Sequence, residues 1–213
     1  MPNGKTILIS TLLFISFLFT ACFDEEKKEL KPSKVLLEGT PSEENYKLAQ
    51  KYFAEGEYEK ALAAHLKQLT EDLKYYEDDS LEIALNYNDI GLVYGTLKDY
   101  EKALVYYMKT MKIDEVRLDS NSTERSTTYF NVASAHEGLT NYDEAIIYYE
   151  KALEIDEKLL AKNDEELLAL YESLAEAYKH VSKEVLSLKY LKKVLLFKER
   201  NYGKEDERTK ETR

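Results

Sequence analysis

A short motif that recurs at a fixed interval constrains the fold of this chain more than any other feature of its sequence. Three copies occupy residues 57–62, 99–104 and 141–146, each 42 residues after the last. A degenerate fourth copy keeps a small residue, Ser187, at the position of Ala61. Small residues also recur upstream at the same interval, at Ala49, Gly91, Ala133 and Ala175. A repeat of this length is typical of chains that stack one supersecondary unit on the next.

The apolar residues within each unit follow helical spacing. In the second unit they form two stripes, one of Ile83, Tyr87, Ile90 and Tyr94 and the other of Tyr100, Ala103, Leu104, Tyr107 and Met111. Apolar side chains three or four positions apart share one face of a helix, so each unit is predicted to be two helices joined by a turn. The whole chain has only seven Gly and three Pro, which agrees with long helices and short connections. The pattern predicts an all-α fold of four helical hairpins.

The small residues have a physical role in such a fold. Two helices approach closely only where the side chains between them are short. A single hairpin cannot bury both of its faces, so neighbouring hairpins must stack. Most of the 18 tyrosines also recur at fixed positions of the units, and we interpret them as core residues.

The recurring residues resemble the tetratricopeptide repeat, in which a small residue and an aromatic one mark the first helix and a tyrosine opens the second. Ala49 and Tyr52, followed by Tyr58 and Ala61, show this order in the first unit. The 42-residue interval is similar to the variant found in kinesin light chains and in bacterial peptide-responsive regulators. The resemblance implies a right-handed α-solenoid of four helix-turn-helix hairpins, whose first helices line an inner surface that binds protein segments.

The same resemblance selects candidate partner-binding residues on the first helices. In the similar long-repeat proteins, paired asparagines at the sites of Asn88/Asp89 and Phe130/Asn131 hold the backbone of an extended peptide. Asn88 and Asn131 match this pairing, whereas Asp89 and Phe130 depart from it. An amide suits the task because it donates to a carbonyl and accepts from an N–H, and a solvated polar face is the alternative interpretation. The candidate set is Tyr46, Gln50, Asn88, Asp89, Leu92, Phe130, Asn131, Ser134, Glu172 and Glu176.

The amino terminus has the three parts of an export signal. Lys5 precedes an uncharged run over residues 6–21, and an acidic stretch follows Cys22. As a helix this run would reach only about 24 Å, short of a hydrocarbon core of about 30 Å, so a cleaved signal is favoured over an uncleaved anchor. Cys22, the only cysteine, directly follows Ala21 and resembles the lipidated cysteine of bacterial lipoproteins. Phe19 departs from that pattern, because a leucine is usual there.

These signals divide the chain into four parts. Residues 1–21 are predicted to be a lipoprotein-type signal peptide, and residues 22–40 a lipidated cysteine with a flexible tether. Residues 41–202 hold four repeats, and residues 203–213 form a charged tail. The repeats are predicted over residues 42–78, 82–120, 124–162 and 166–202.

Composition and motifs argue against several other functions. The formal net charge is −11, so the surface repels phosphate backbones and nucleic acid is not an expected partner. His65, His136 and His180 lack the spacing of a metal-binding set. The sequence has no glycine-flanked serine elbow and no phosphate-binding glycine loop. We therefore expect no enzymatic activity and no catalytic, cofactor-binding or metal-binding residues.

The sequence thus predicts a lipid-anchored adaptor of the bacterial cell envelope, on the periplasmic side or at the outer membrane. Its partner would be an extended peptide or a helix of another protein, and Glu172 and Glu176 would favour a basic segment. Two alternatives stay open. One is a structural module that oligomerises with further copies of itself, and the other is a peptide-responsive regulatory sensor, against which the export signal argues.

Overall fold

A computed structural model describes residues 34–161 and 164–212, so the predicted signal peptide and Cys22 lie outside the described residues. The unit of the chain that carries the repeats begins at Leu36. Its helices are α1 (Glu44–Ala54), α2 (Tyr58–Asp72), α3 (Leu81–Thr96), α4 (Tyr100–Arg117), α5 (Thr123–Gly138), α6 (Tyr142–Leu159), α7 (Glu165–His180), α8 (Glu184–Asn201) and the short α9 (Glu207–Lys210). The predicted all-α class is confirmed.

The helices pair into four consecutive hairpins: α1 with α2, α3 with α4, α5 with α6, and α7 with α8. Each second helix also packs against the first helix of the next hairpin, and α9 packs against α8. Most contacts join helices that are adjacent along the chain, and the first helices α3 and α5 also touch, so the hairpins form one stack. The predicted solenoid of helical hairpins is therefore present.

The four turns inside the hairpins use one backbone device at the 42-residue interval. Gly56, Lys98, Thr140 and Ser182 all have a positive φ, between 57° and 77°. In each turn the next residue donates its backbone N–H to the carbonyl five positions earlier, as Asp99 does to Tyr94 at 2.9 Å. This is the Schellman arrangement, which satisfies carbonyls left open at a helix end. A positive φ favours glycine, but only the first of these four turns has one, at Gly56. The other three turns are therefore identified by the 42-residue interval and not by their residue type.

The small residues lie where the helices cross. Ala49, Ala61, Ala103, Ala133 and Ala145 are completely buried. The tyrosines that recur with them fill the space around these crossings, and Tyr107, Tyr129, Tyr149, Tyr178 and Tyr190 are all at least 94% buried, with exposed fractions of 5%, 6%, 1%, 5% and 4%.

Helix starts differ from one hairpin to the next. Ser80, Asp99 and Ser122 each accept a hydrogen bond from a backbone N–H of the first turn, at 3.2 to 3.3 Å. Asn141 makes no such bond, although its spacing to Glu144 resembles a capping box.

Among the described residues, none of the helices has the length and apolar character needed to cross a membrane.

Candidate functional site

Three clefts follow one another along the surface made by the accessible side chains of α1, α3, α5 and α7, which we call the first-helix face. The α1/α3 cleft has a volume of about 690 Å³, the α3/α5 cleft about 300 Å³ and the α5/α7 cleft about 170 Å³. Each lies at the junction of two hairpins, where two first helices meet the second helix between them. The clefts therefore arise from the stacking of the repeats.

Two side chains at equivalent repeat positions separate the clefts. Leu85 lines both the α1/α3 and the α3/α5 cleft, and Thr127 lines both the α3/α5 and the α5/α7 cleft. Both side chains are exposed, Leu85 at 54%. A segment that crosses either residue would contact two successive clefts.

An aspartate near the end of the second helix lines each cleft. Asp72, Asp114 and Asp156 are separated by the repeat interval and are 6%, 5% and 4% exposed. Asp72 accepts hydrogen bonds from Asn86 at 2.6 Å and from Gln68 at 2.8 Å. These donors satisfy both of its carboxylate oxygens, as buried charge requires.

The second and third aspartates have fewer donors. Asp114 accepts a hydrogen bond of 2.7 Å from the hydroxyl of Thr128, which occupies the repeat position of Asn86. At the third junction that position is Leu170, which has no polar atom on its side chain. Within the described ranges, Oδ1 of Asp156 is buried without a hydrogen-bond donor. Burial raises the pKa of both Asp114 and Asp156.

Asn88 and Asn131 are joined to each other. The amide of Asn131 donates to the side-chain oxygen of Asn88 at 2.9 Å, across the boundary between the second and third hairpins. Asn88 also lines the α3/α5 cleft. Part of the hydrogen-bonding capacity predicted to serve a partner is thus used within the chain.

Asp89 is half-buried beside Asn88 on α3. It lines the α1/α3 cleft, and one of its oxygens is buried without a donor among the described residues. Burial raises the pKa of Asp89 to about 6, and a side-chain hydrogen bond with Asn88 offsets a smaller part of this shift. The nearby Tyr107 phenol has its pKa raised to about 12, first by burial and then by the charge of Asp89.

Phe130 lines the α5/α7 cleft but is half-buried, because its ring packs against Tyr149 with centroids 5.4 Å apart. The Tyr149 hydroxyl donates to Glu137 at 2.6 Å. Burial and this carboxylate raise the Tyr149 pKa, while the Ser134 and Ser173 hydroxyls act in the opposite direction. Ser134 therefore lies beside an ordered hydrogen-bonded group.

The two glutamates expected to attract a basic partner already have cationic neighbours. Glu172 pairs with Lys198 at 2.9 Å. Glu176 lies 3.3 Å from Lys179 and 3.2 Å from the His180 imidazole. These contacts weaken both residues as candidates for contact with a cationic ligand.

The remaining candidates divide between cleft and open surface. Tyr46 lines the α1/α3 cleft, with its ring 6.2 Å from that of His65 in an edge-on arrangement. Gln50 and Leu92 are exposed on α1 and α3 and do not line any of the three clefts. Within residues 34–161 and 164–212, no group of His, Cys, Asp or Glu side chains has the arrangement of a metal site.

The model of the tetratricopeptide repeat matches residues 44–115 and 124–200. The chain belongs to the tetratricopeptide repeat family. That match covers all four hairpins, so the helices, turns and clefts described above are elements of tetratricopeptide repeats. The predicted family is thus confirmed. The matched residues do not include the predicted signal peptide, which stays a prediction.

Three solved structures illustrate the similarity of this fold to known proteins. One is a kinesin light chain of Podosopora anserina with nearly identical TPR-like repeats, at 17% identity, a TM-score of 0.71, and coverage of 79% of this chain and 80% of that one. BtubC of P. vanneervenii has 19% identity, a TM-score of 0.68, and coverage of 73% and 62%. A Rap protein complexed with competence and sporulation factor has 17% identity, a TM-score of 0.59, and coverage of 73% and 42%.

At these identities the structural likeness shows the fold alone. No curated protein matches the sequence. The chain's own clefts and side chains are therefore the evidence for the surface that binds a partner.

The three aspartates that line the clefts were not among the predicted site residues. Asp72, Asp114 and Asp156 recur at the 42-residue interval, so the repeat itself carried a signal for them. An acidic residue near the end of an acidic helix, however, does not stand out by composition.

Proposed function

We propose that this tetratricopeptide repeat protein is a lipid-anchored adaptor that binds an extended segment of another protein along its first-helix face. The observation that carries the proposal is the row of three clefts at successive hairpin junctions. Side chains of an extended segment project at regular intervals, so a row of small clefts can receive several of them in turn.

The chemistry of the face supports a peptide rather than a compact small molecule. The clefts are open and shallow, whereas small-molecule sites enclose most of their ligand. Amides and carboxylates line them together with the apolar side chains Leu85 and Leu81. Polar groups of this kind can bond a peptide backbone while the apolar groups contact side chains.

The proposed anchor rests on the amino-terminal sequence. Acyl chains attached to Cys22 would hold the repeats at a membrane surface, since each buried methylene contributes about 0.8 kcal/mol. The segment between Cys22 and Leu36 would act as a tether, because Leu37 already bonds to the backbone of Lys74 within the repeat-carrying unit. The protein would then work in the bacterial envelope, with its partner reaching it there, and no enzymatic step forms part of the proposal.

Photo-crosslinking in cells that express the full-length chain tests the binding face. A photoreactive residue replaces Thr127, which is exposed between two clefts, and in a parallel strain it replaces Lys112, which is exposed on α4. We expect one partner to be captured through Thr127 and not through Lys112. Equal capture at both positions, or capture through Lys112 alone, would contradict the proposal.

Self-association is a second candidate function, favoured by apolar side chains on the last long helix. Val185, Leu188, Leu191 and Leu196 of α8 are 81%, 56%, 40% and 62% exposed. Large exposed apolar surface often marks a protein contact. Light scattering of the purified chain over a range of concentrations separates the candidates, because a monomer throughout would exclude the oligomeric module.

A further inference from the structure

The three cleft aspartates lose their internal donors along the stack. Asp72 has two donors from within the chain, and Asp114 has the Thr128 hydroxyl. Asp156 has none for its buried Oδ1 among the described residues, although it is the most buried of the three. Leaving a buried carboxylate oxygen unpaired is costly, and native structures rarely do so without a reason.

The Ser126 hydroxyl lies close enough to Asp156 to lower its pKa against the larger effect of burial, but it leaves Oδ1 without a donor. This hydroxyl donates to the backbone carbonyl of Ala152 at 3.1 Å. Leu170 takes the place of Asn86 and Thr128 and offers an apolar side chain. Among the described residues this junction therefore offers Oδ1 no donor, while the Asp156 carboxylate lines the cleft.

A second carboxylate lines the same cleft. Glu166 is exposed at its rim and has no ion pair or side-chain hydrogen bond within residues 34–161 and 164–212. Burial, Asp156 and Asp164 all disfavour its charged form, so the carboxylates repel one another across the cleft. This local excess of negative charge contrasts with Glu172 and Glu176, which have the lysines Lys198 and Lys179 as cationic neighbours.

The remaining walls are apolar. Phe130 and Leu170 line the cleft together with Ala169. At about 170 Å³ this is the smallest of the three clefts, and it suits one long side chain rather than a complete ligand. Such a side chain needs an apolar stem and a cationic tip.

We infer that the α5/α7 cleft binds a cationic side chain of the partner segment, best fitted by arginine, with Asp156 and Glu166 accepting from its guanidinium. A guanidinium offers five N–H donors in a planar fork and can bond two carboxylates together. Its methylene stem would lie along Phe130 and Leu170. The inference rests on the proposed function and adds the chemistry of one position in the partner.

Two short capped peptides of serine and alanine test this assignment, one with a central arginine and the other with citrulline, its neutral isostere. Binding to the full-length chain is followed by fluorescence anisotropy, and amide chemical shifts map the contact. We expect the arginine peptide to bind at least about tenfold more tightly and to shift residues around Asp156, since a charge-assisted hydrogen bond contributes about 1.5–3 kcal/mol.

Variants separate the cleft from the rest of the face. Asp156→Asn and Glu166→Gln should each reduce binding of the arginine peptide by about tenfold or more, because each removes a charged acceptor. Glu101→Gln is the matched control and should leave binding unchanged, because this exposed glutamate lies in the first turn of α4 and lines none of the three clefts. Glu166 is exposed, so its variant keeps the test valid if Asp156→Asn fails to fold.

Equal binding of the two peptides, unchanged binding to Glu166→Gln, or absence of binding would each overturn the inference. These outcomes are distinct from failure of the proposed function. If Thr127 still captures a partner in cells, the first-helix face remains the binding surface and only the arginine assignment is lost.

Discussion

The side-chain amide of Asn131 donates a hydrogen bond of 2.9 Å to the side-chain oxygen of Asn88, linking the first helices of two successive hairpins. The resemblance to long-repeat proteins predicts that these two amides bind a partner's backbone. Here they also bind one another, so the pair stabilises the junction at which a partner is proposed to dock. A ligand that uses both amides must either preserve this bond or replace it.

The coupling between these residues can be measured by a double-mutant cycle. Asn88→Ala, Asn131→Ala and the double variant are unfolded in urea, and the free energies of unfolding are compared. We expect a coupling energy of about 0.5–1.5 kcal/mol, the usual net contribution of one hydrogen bond. Strict additivity of the two single changes would show that the bond contributes nothing to the junction.

Asp89 gives the stability of the chain a specific pH dependence. Its folded-state pKa of about 6 lies above the ordinary value of 3.8, so the folded chain holds this proton more tightly than the unfolded chain. The protonated Asp89 carboxyl therefore contributes to the free energy of unfolding. This contribution is fully present below pH 3.8 and is lost as pH rises through about 6.

Asp89→Asn removes this dependence because the amide does not titrate. We expect the variant to be more stable than the parent at pH 7.5 by about 1–3 kcal/mol, with the difference shrinking towards pH 4. Thermal unfolding at both pH values measures it. A difference that grows on acidification would mean that Asp89 is stabilised as a carboxylate, contrary to the environment described.

Two glycines of α3 offer a matched test of the helix crossing. A Cβ at Gly91 would lie 2.6 Å from a ring carbon of Tyr107, whereas one at Gly95 would lie 3.6 Å from the Tyr107 hydroxyl oxygen. Gly91→Ala should destabilise by about 1–3 kcal/mol through overpacking. Gly95→Ala should be neutral or stabilise by up to about 1 kcal/mol, through the helical preference of alanine.

Urea unfolding of both variants checks this pair. Similar changes in the free energy of unfolding at the two positions would mean that Gly91 and Tyr107 are not in close contact. The comparison controls for helix propensity, because both glycines lie within α3.

The fold was predictable from the sequence because its determinants repeat. Gly91, Ala133 and the tyrosines recur at the 42-residue interval, and stacking follows from their helical spacing. The site was less predictable, because its properties depend on which side chains meet between different helices. The bond from Asn131 to Asn88 spans 43 positions, and the pair of Lys198 with Glu172 joins α8 to α7.

Asp156 shows the same limit most clearly. Its position repeats that of Asp72 and Asp114, so its presence could be anticipated from the interval. That it lacks a donor depends on Leu170 in the neighbouring helix, and on Ser126 bonding to a backbone carbonyl. Neither relationship follows from a periodicity.

The anchor predicted from Cys22 has its own test. Cys22→Ser removes the thiol that would be acylated, and fractionation of cells then compares membrane and soluble pools. We expect the variant to leave the membrane fraction, because the acyl chains are the proposed source of membrane affinity. Retention of the variant on the membrane would favour an uncleaved apolar anchor over residues 6–21.

The most direct measurement is the affinity of the full-length chain for the partner segment captured through Thr127, compared with that of two tryptophan variants. Thr127→Trp places a large ring between the α3/α5 and α5/α7 clefts, and Lys112→Trp places the same ring on the exposed side of α4. We predict that Thr127→Trp weakens binding at least about tenfold, or about 1.4 kcal/mol, and that Lys112→Trp leaves it unchanged. Unchanged affinity in Thr127→Trp, or loss of affinity in Lys112→Trp alone, would contradict the assignment of the first-helix face as the binding surface.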